Sequence, residues 1–374
     1  MKVLHLIDSG GLYGAEKMLL SLVAEQVKLG LKPLILSAGV PEIEEKAIEA
    51  EARRLGLPLI PWRMKPGFNP WGSLSVIRWA QAEGFELFHS HGYKFNVLIG
   101  LWPEVWRKIP QVTTLHGYVK GSSFSKSWIY EILDRVVLRK MNYVVLVAEA
   151  MKKDIPPGLV SSNRTTVISN GLDTVQLMEA GKEPLDACLE SFVHKHSPVL
   201  LGVGRLSYEK GFDRLVRAFN TVKGEHPSAG LVIIGEGDQR DRLEQHIRES
   251  GLADSVCMPG YYNNVPALMA RSDLLCMPSR TEGLPITLLE AMAVGLPVCA
   301  SDVGEIRWVL GEGKGGIISE VGGDTDLAND ILQSLVEEER MAAPVEWSKQ
   351  RVGDIYSASQ MAKKYAEVYE KVLG

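Results

Sequence analysis

The sequence predicts an α/β protein made of two Rossmann-like, doubly wound domains, each built on a parallel sheet. Three observations carry that prediction. Short apolar runs alternate with amphipathic helical patterns from one end of the chain to the other. Its 374 residues exceed what one hydrophobic core usually organises, so two units of somewhat under about 200 residues are expected. The alternation also breaks once, near 175–196, where LMEAGKEPLDACLESFVHKHSP is polar and carries no strand signal. The linker is placed there, dividing the chain into domains 1–185 and 186–354.

Taken in order, the strand candidates of the first half are KVLHLID, KPLILSA, LPLIPW, LFHSH, QVTTLHG, YVVLVA and TVISN. Those of the second half are PVLLGVG, GLVIIGEG, SVCMPG, DLLCMPS, LPVCASD and GGIISE. Helices such as GAEKMLLSLVAEQVKLG and GFDRLVRAFNTVKG separate most of them, the βαβ pattern of a parallel sheet. The last segment, YSASQMAKKYAEVYEKVLG, has the spacing of an amphipathic helix.

Composition excludes several classes. Apolar residues make up 45% and charged residues 23%, as in an ordinary globular protein, and no run approaches the ~18 apolar residues that span a bilayer. MKVLHLID meets Asp8 too early for a signal peptide, so a cytoplasmic protein is expected. Cys188, Cys257, Cys276 and Cys299 show no paired spacing, and three lie in apolar, strand-like segments, which suits reduced thiols. The net charge of −5 divides unevenly, +2 over residues 1–190 and −7 over 191–374. Within 94–164, eleven basic residues face five acidic ones, interleaved with Tyr93, Phe95, Trp102, Trp106, Phe124, Trp128 and Tyr130. This stretch fits an anionic acceptor or peripheral association with the inner face of the cytoplasmic membrane, or simply solvated helices over aromatic core residues. Nucleic acid is not expected, because the chain is acidic overall and carries no binding motif.

Residues 273–304 carry the most chemistry. DLLCMPS ends a buried strand, Pro285 suits a helix start, ITLLEAMAV has helical spacing, and Gly295 stands where a C-terminal cap belongs. Glu282 therefore lies in a loop at the C-terminal edge of a parallel sheet, and Glu290 about a turn inside the helix. That edge is where open α/β sheets bind ligands, and a helix N-terminus there favours a diphosphate. A carboxylate in the helix suits the vicinal diol of a ribose, and one in the loop suits whatever hangs from the phosphate.

The spacing of Glu282 and Glu290 resembles the E-x7-E signature of retaining glycosyltransferases of family 4, which have the two-domain GT-B fold. GRLSYEKGFDRLVRAF (204–219), IIGEGD (233–238), ASDVGEI (300–306), VISNGLD (167–173) and GGLYGAEKMLL (10–20) resemble further family segments, in the family's order. The resemblance implies two domains facing across a cleft, with the C-terminal helix 355–374 packing back on the N-terminal, acceptor-binding domain and the C-terminal domain binding a nucleotide-sugar. It assigns Arg205 and Lys210 to the donor diphosphate, where an Arg fork and a Lys point charge stabilise a departing phosphate without metal. Gly11 and Gly14 would meet the same diphosphate through backbone N–H groups. Glu282 and His116 are implied as catalytic, beside the transferred sugar, with Gly283 and Leu284 also donating to the sugar hydroxyls. Glu290 is implied for ribose, and Tyr261 and Tyr262 for the nucleobase. Many relatives have a glycine-rich run after the first glutamate; here Glu282-Gly283-Leu284-Pro285 loses one donor, since proline has no N–H.

The expected activity is transfer of a hexose from a UDP- or GDP-sugar to a glycan hydroxyl, with no cofactor and no metal, on a lipid-linked acceptor of surface polysaccharide biosynthesis. Rival readings are a nucleotide-sugar epimerase or hydrolase, a sugar-phosphate-accepting synthase, and a non-catalytic sugar-nucleotide-binding protein. His89 and His91, alternate residues on one strand, share a face, and with His116 they offer a zinc-like trio that the glycosyltransferase pattern does not need. Asp324-x-Asp326 reads as a helix start.

Overall fold

The structure, a computed structural model, describes residues 1–8, 11–12, 14–116, 133–153, 155–160, 163–320, 324–335 and 338–374. The chain forms two units, Met1–Gly171 with Ala358–Gly374, and Leu172–Ser357.

In the first unit seven strands form one parallel sheet: β1 (Lys2–Ile7), β2 (Lys32–Gly39), β3 (Leu59–Arg63), β4 (Leu87–His91), β5 (Gln111–Leu115), β6 (Tyr143–Leu146) and β7 (Thr165–Val167). Their order is β3-β2-β1-β4-β5-β6-β7, so the winding reverses between β1 and β4. Val3, Leu4 and Leu6 of β1 are fully buried, because helices cover both faces of the sheet. Helix Ala358–Leu373 belongs to this unit. Its residues Met361, Ala362, Tyr365, Val368 and Tyr369 form one helical stripe packed on Val3, Leu87, Val112 and Val145.

The second unit holds β8 (Val199–Val203), β9 (Gly230–Ile234), β10 (Val256–Gly260), β11 (Leu274–Met277), β12 (Val298–Ser301) and β13 (Ile317–Ser319). They are parallel in the order β10-β9-β8-β11-β12-β13, and here the reversal falls between β8 and β11. Successive residues alternate between two cores. Val199, Leu201, Val232 and Ile234 enter one, and Leu200, Leu231 and Ile233 the other. Two-sided burial is why these strands read as continuous apolar runs.

The division between units falls at Gly171/Leu172 and Ser357/Ala358, and not at 185/186 and 354/355. The stretch read as a polar linker folds as helices Thr174–Ala180 and Ala187–Lys195. Asp173 and Asp186 accept backbone N–H bonds at their N-termini. Leu177, Leu185, Leu189 and Phe192 pack into the core of the second unit. Full burial of Leu189 alone removes enough apolar surface to stabilise by about 2 kcal/mol. The apolar residues are too few and too widely spaced to show as a periodic run, which is why the segment looks like a linker.

Among the described residues no helix is long and apolar enough to cross a membrane. Cys276 and Cys299 are buried, Cys257 is half-buried and Cys188 exposed, and all four are free thiols.

Candidate functional site

In the second unit the loops leaving β8, β9, β11 and β12 gather at one edge, around the point where the winding reverses. After β8 the chain runs through Gly204, Arg205 and the buried Leu206 into the short turn Tyr208–Lys210. Leu206 N–H donates to the Glu236 carbonyl at 2.9 Å, tying this loop to the one after β9. Gly211 then turns with φ +68, and a Cβ here would overlap the Pro278 carbonyl at the end of β11. Arg280 N–H donates to the Glu209 carbonyl at 2.8 Å. The Arg280 guanidinium forks onto Asp213 with two bonds of 2.8 Å and stacks over the Tyr208 ring at 4.2 Å. Burial would raise the Asp213 pKa, but the bonds from Arg280 and Arg217 outweigh it and bring it down to about 2. The loops after β8 and β11 are thereby stapled together.

Held in that frame, Lys210 Nζ donates to both oxygens of Glu282 at 2.7 and 2.8 Å. Ser279 Oγ donates to the same carboxylate at 2.6 Å. The Glu282 side chain is only 6% exposed and Lys210 27%, so the charge pair is partly desolvated and its geometry well defined. Gly304, with φ +58 in the loop after β12, lets that loop lie against the Glu282 carbonyl, where a Cβ would not fit. Glu305 N–H donates to the Gly283 carbonyl at 3.3 Å. The amides of Gly283 and Leu284 have no acceptor among the described residues. Pro285 caps helix Ile286–Val294, Gly295 ends it with φ +84, and Glu290 sits half-buried in its second turn.

Lys210 and Glu282 are therefore brought into contact, with Arg205 exposed in the same loop as Lys210 and Glu290 on the helix that follows Glu282. Tyr261 and Tyr262 follow β10, the edge strand, two strands away from β8. Tyr261 is 77% exposed, whereas Tyr262 packs on the core. Gly11, Gly14 and His116 belong to the first unit. Gly14 opens helix Gly14–Lys28. Gly10 and Gly117 lie outside the described residues, as do Lys120, Phe124, Lys126, Trp128 and Tyr130. The rest of the basic, aromatic stretch does not form one surface: Arg107 and Phe95 are interior, and Arg107 donates to Gln111 at 2.9 Å. Asp324 begins helix Asp324–Leu335.

Sequence reasoning missed Ser279, Asp8 and His5. Asp8, at the end of β1, pairs with Lys46 at 2.8 Å and with Lys94. His5 interrupts the apolar strand β1, and an ionisable residue in the middle of such a run was the available signal. Register places His5 opposite His89 and Ile7 opposite His91. The three histidines gathered together are thus His5, His89 and His91, one ring nitrogen of each lying within 4.8 Å of the other two, a spacing that could hold a metal ion. Of these three, His116 is hydrogen-bonded to His91, at 3.4 Å. All six nitrogens of the trio are already engaged with protein partners, namely each other, Gln26, Tyr369, Thr114 and His116. Burial holds His5 and His116 neutral, with pKa values lowered to about 4, and takes His89 and His91 well below the usual range. The arrangement works as an internal hydrogen-bond chain.

Comparison with known proteins agrees with this layout. Residues 13–176 match the family described as Glycosyltransferase Family 4, and residues 190–351 match Glycosyl transferases group 1. The chain is 26% identical over 305 residues to N-acetyl-alpha-D-glucosaminyl L-malate synthase of Bacillus anthracis, covering 79% of this chain and 77% of that protein. It is 27% identical over 277 residues to glycogen synthase of Mycobacterium tuberculosis, covering 70% of this chain but only 63% of the synthase. The fold matches Anabaena HepE in complex with UDP at a TM-score of 0.75 and 21% identity, over 99% of this chain and 100% of that one.

Proposed function

The chain belongs to the GT-B glycosyltransferases of the family 4 type, and from that premise we propose that it moves a hexose from a UDP- or GDP-sugar to a hydroxyl of a glycan acceptor, retaining the anomeric configuration. The observation that carries this reading is the Lys210–Glu282 pair at the winding reversal between β8 and β11, the place where open α/β sheets bind ligands. Arg205 and Lys210 take the diphosphate, with Gly11 and Gly14 assigned to it through their backbone. Glu282 and the free amides of Gly283 and Leu284 take the sugar, beside which His116 is also placed. Glu290 takes the ribose diol, and Tyr261 and Tyr262 the base.

In the reaction the bond from the anomeric carbon to the diphosphate oxygen breaks and a bond to the acceptor oxygen forms on the same face. The acceptor's proton passes to the departing phosphate oxygen. Lys210 and Arg205 neutralise the charge growing on that phosphate, so the proposal calls for no metal. Glu282, anchored by Ser279 and Lys210, is placed to balance positive charge at the anomeric carbon. The UDP complex of HepE makes UDP-sugars the first donors to try.

A lipid-linked acceptor and peripheral membrane association are part of the same proposal. Supporting them is an apolar pocket of about 260 Å³ lined by Phe68, Pro70, Leu98, Leu101, Trp102 and Trp106. Phe68, Trp71, Val105 and Trp106 stand more than half exposed on this unit, as aromatic anchors at a bilayer surface do. Lys65, Arg78 and Lys108 are exposed on the same segments.

The test is mass-detected turnover of UDP-, GDP- and ADP-sugars with and without a lipid-linked glycan extract. Acceptor-dependent nucleotide release from one donor supports the proposal. Conversion of a donor without acceptor replaces it with an epimerase or hydrolase. Absence of binding to anionic vesicles at low salt removes the membrane component.

A further inference from the structure

Inside the first unit a buried chain of polar side chains runs from the C-terminal helix to His116. Gln26 Nε2 donates to the Tyr369 hydroxyl at 3.0 Å, and Gln26 Oε1 faces His5 Nε2 at 2.8 Å. His5 Nδ1 faces His91 Nε2 at 3.1 Å, and His91 Nδ1 faces His116 Nε2 at 3.4 Å. A branch leaves Tyr369 through His89 Nδ1 at 2.6 Å, then from His89 Nε2 to Thr114 Oγ1 at 2.8 Å and on to the Tyr365 hydroxyl at 2.8 Å. Gln26, His5, His89 and His91 are buried to 6% exposure or less.

A neutral imidazole has one N–H and one lone pair, so each link dictates the next. With the Gln26 oxygen towards His5, His5 carries its proton on Nε2 and accepts on Nδ1. His91 then carries its proton on Nε2, and so does His116. Along the branch, Tyr369 donates to His89, which donates to Thr114, which donates to Tyr365, and no bond is frustrated. Turning the amide over reverses every link and puts a proton on His116 Nδ1. That nitrogen is buried and has no partner among the described residues. A buried N–H left unpaired is rarer and costlier than an unpaired acceptor, which selects the first polarity.

We infer that Gln26, His5 and His91 are positioning residues that hold His116 in the Nε2–H tautomer, leaving Nδ1 as a bare hydrogen-bond acceptor for a sugar hydroxyl of the substrate. The substrate half of this inference rests on the placement of His116 proposed above; the tautomer half stands on geometry alone.

The experiment is imidazole ¹⁵N NMR of histidine-labelled protein, with His116→Asn used to assign its signals, alongside kcat and KM for sugar transfer. Wild type is expected to show His116 as a single Nε2–H tautomer. Gln26→Met removes the group that sets polarity, so the His116 signals should move towards a mixture, with kcat falling about tenfold and nucleotide affinity unchanged. Gln26→Glu, which still accepts from His5, should keep the wild-type tautomer. Tyr369→Phe, which frees the amide to turn, provides a second route to the mixture should Gln26→Met fold poorly. An Nδ1–H tautomer in wild type, or a His116 signal unmoved in both Gln26→Met and Tyr369→Phe, overturns the lock. A moved tautomer with unchanged turnover leaves the lock standing and overturns the substrate contact.

Discussion

Lowering the pH from 7 to 5 should destabilise the first unit through its buried histidines. His5 and His116 are held neutral in the fold with pKa values of about 4, mainly because burial penalises the charged ring. In the unfolded chain each returns to about 6.5. The unfolded state therefore binds more protons between pH 6.5 and 4, and stability is fully present above that window and lost as pH falls through it. Integrating the linkage from pH 7 to 5 gives about 2 kcal/mol per histidine, so about 4 kcal/mol for the pair, against total stabilities of about 5–15 kcal/mol. His89 and His91, lowered further in the same direction, add to the loss. The lowered carboxylates Asp8 and Glu49 begin to protonate only below this range, so they leave the window to the histidines. Hydrogen exchange of peptides covering Lys2–Ile7 and Leu87–His91, corrected for intrinsic rates and read across a urea series, reports the opening free energy of this unit apart from the other. Opening free energies that agree within about 1 kcal/mol at pH 7 and 5 would refute the claim that the chain is buried and neutral.

Three further outcomes follow from the second unit. Glu282→Ala should abolish transfer, a loss of at least about a hundredfold, while nucleotide binding measured by calorimetry stays within about threefold, because the carboxylate is assigned to the sugar; unchanged turnover would end that assignment. Glu290→Ala should weaken UDP about tenfold but leave 2′,3′-dideoxy-UDP nearly unaffected, since the substitution removes a partner of the diol alone; equal losses for both ligands would place Glu290 elsewhere. Gly304→Ala combines a Cβ at φ +58 with overlap on the Glu282 carbonyl, and should cost roughly 2 kcal/mol in chemical denaturation and lower turnover; a variant as stable and active as wild type would mean the loops are not packed as described.

Much of the fold was legible in sequence, for local reasons. The central strands β4, β5, β9, β11 and β12 stand out as apolar runs because each is buried along its whole length, whereas β3, β7, β10 and β13 are only partly buried and were read from shorter apolar runs bounded by turn residues. Helix Ile286–Val294 was readable from Pro285 and Gly295, whose backbone preferences act within a residue or two. The loop positions of Arg205, Lys210 and Glu282 followed from strand ends and turn residues. The linker misled because Leu177, Leu185 and Leu189 reach a core whose other half lies far away in sequence. Arg107 looked like surface charge for a similar reason, since Gln111 and Asn142, which receive it, are ordinary polar residues until folding brings them round its guanidinium.

By itself, then, the sequence determined the strands, the bounds of helix Ile286–Val294, the two-domain α/β class and the loops that carry chemistry, because periodicity and turn preference act over a few residues. Only tertiary structure decided which side chains meet. Lys210 and Glu282, 72 residues apart, are joined because β8 lies beside β11. Gln26 and Tyr369, 343 residues apart, are joined because the C-terminal helix lies against the first sheet. Short-range preferences do not encode sheet order, and sheet order sets both contacts.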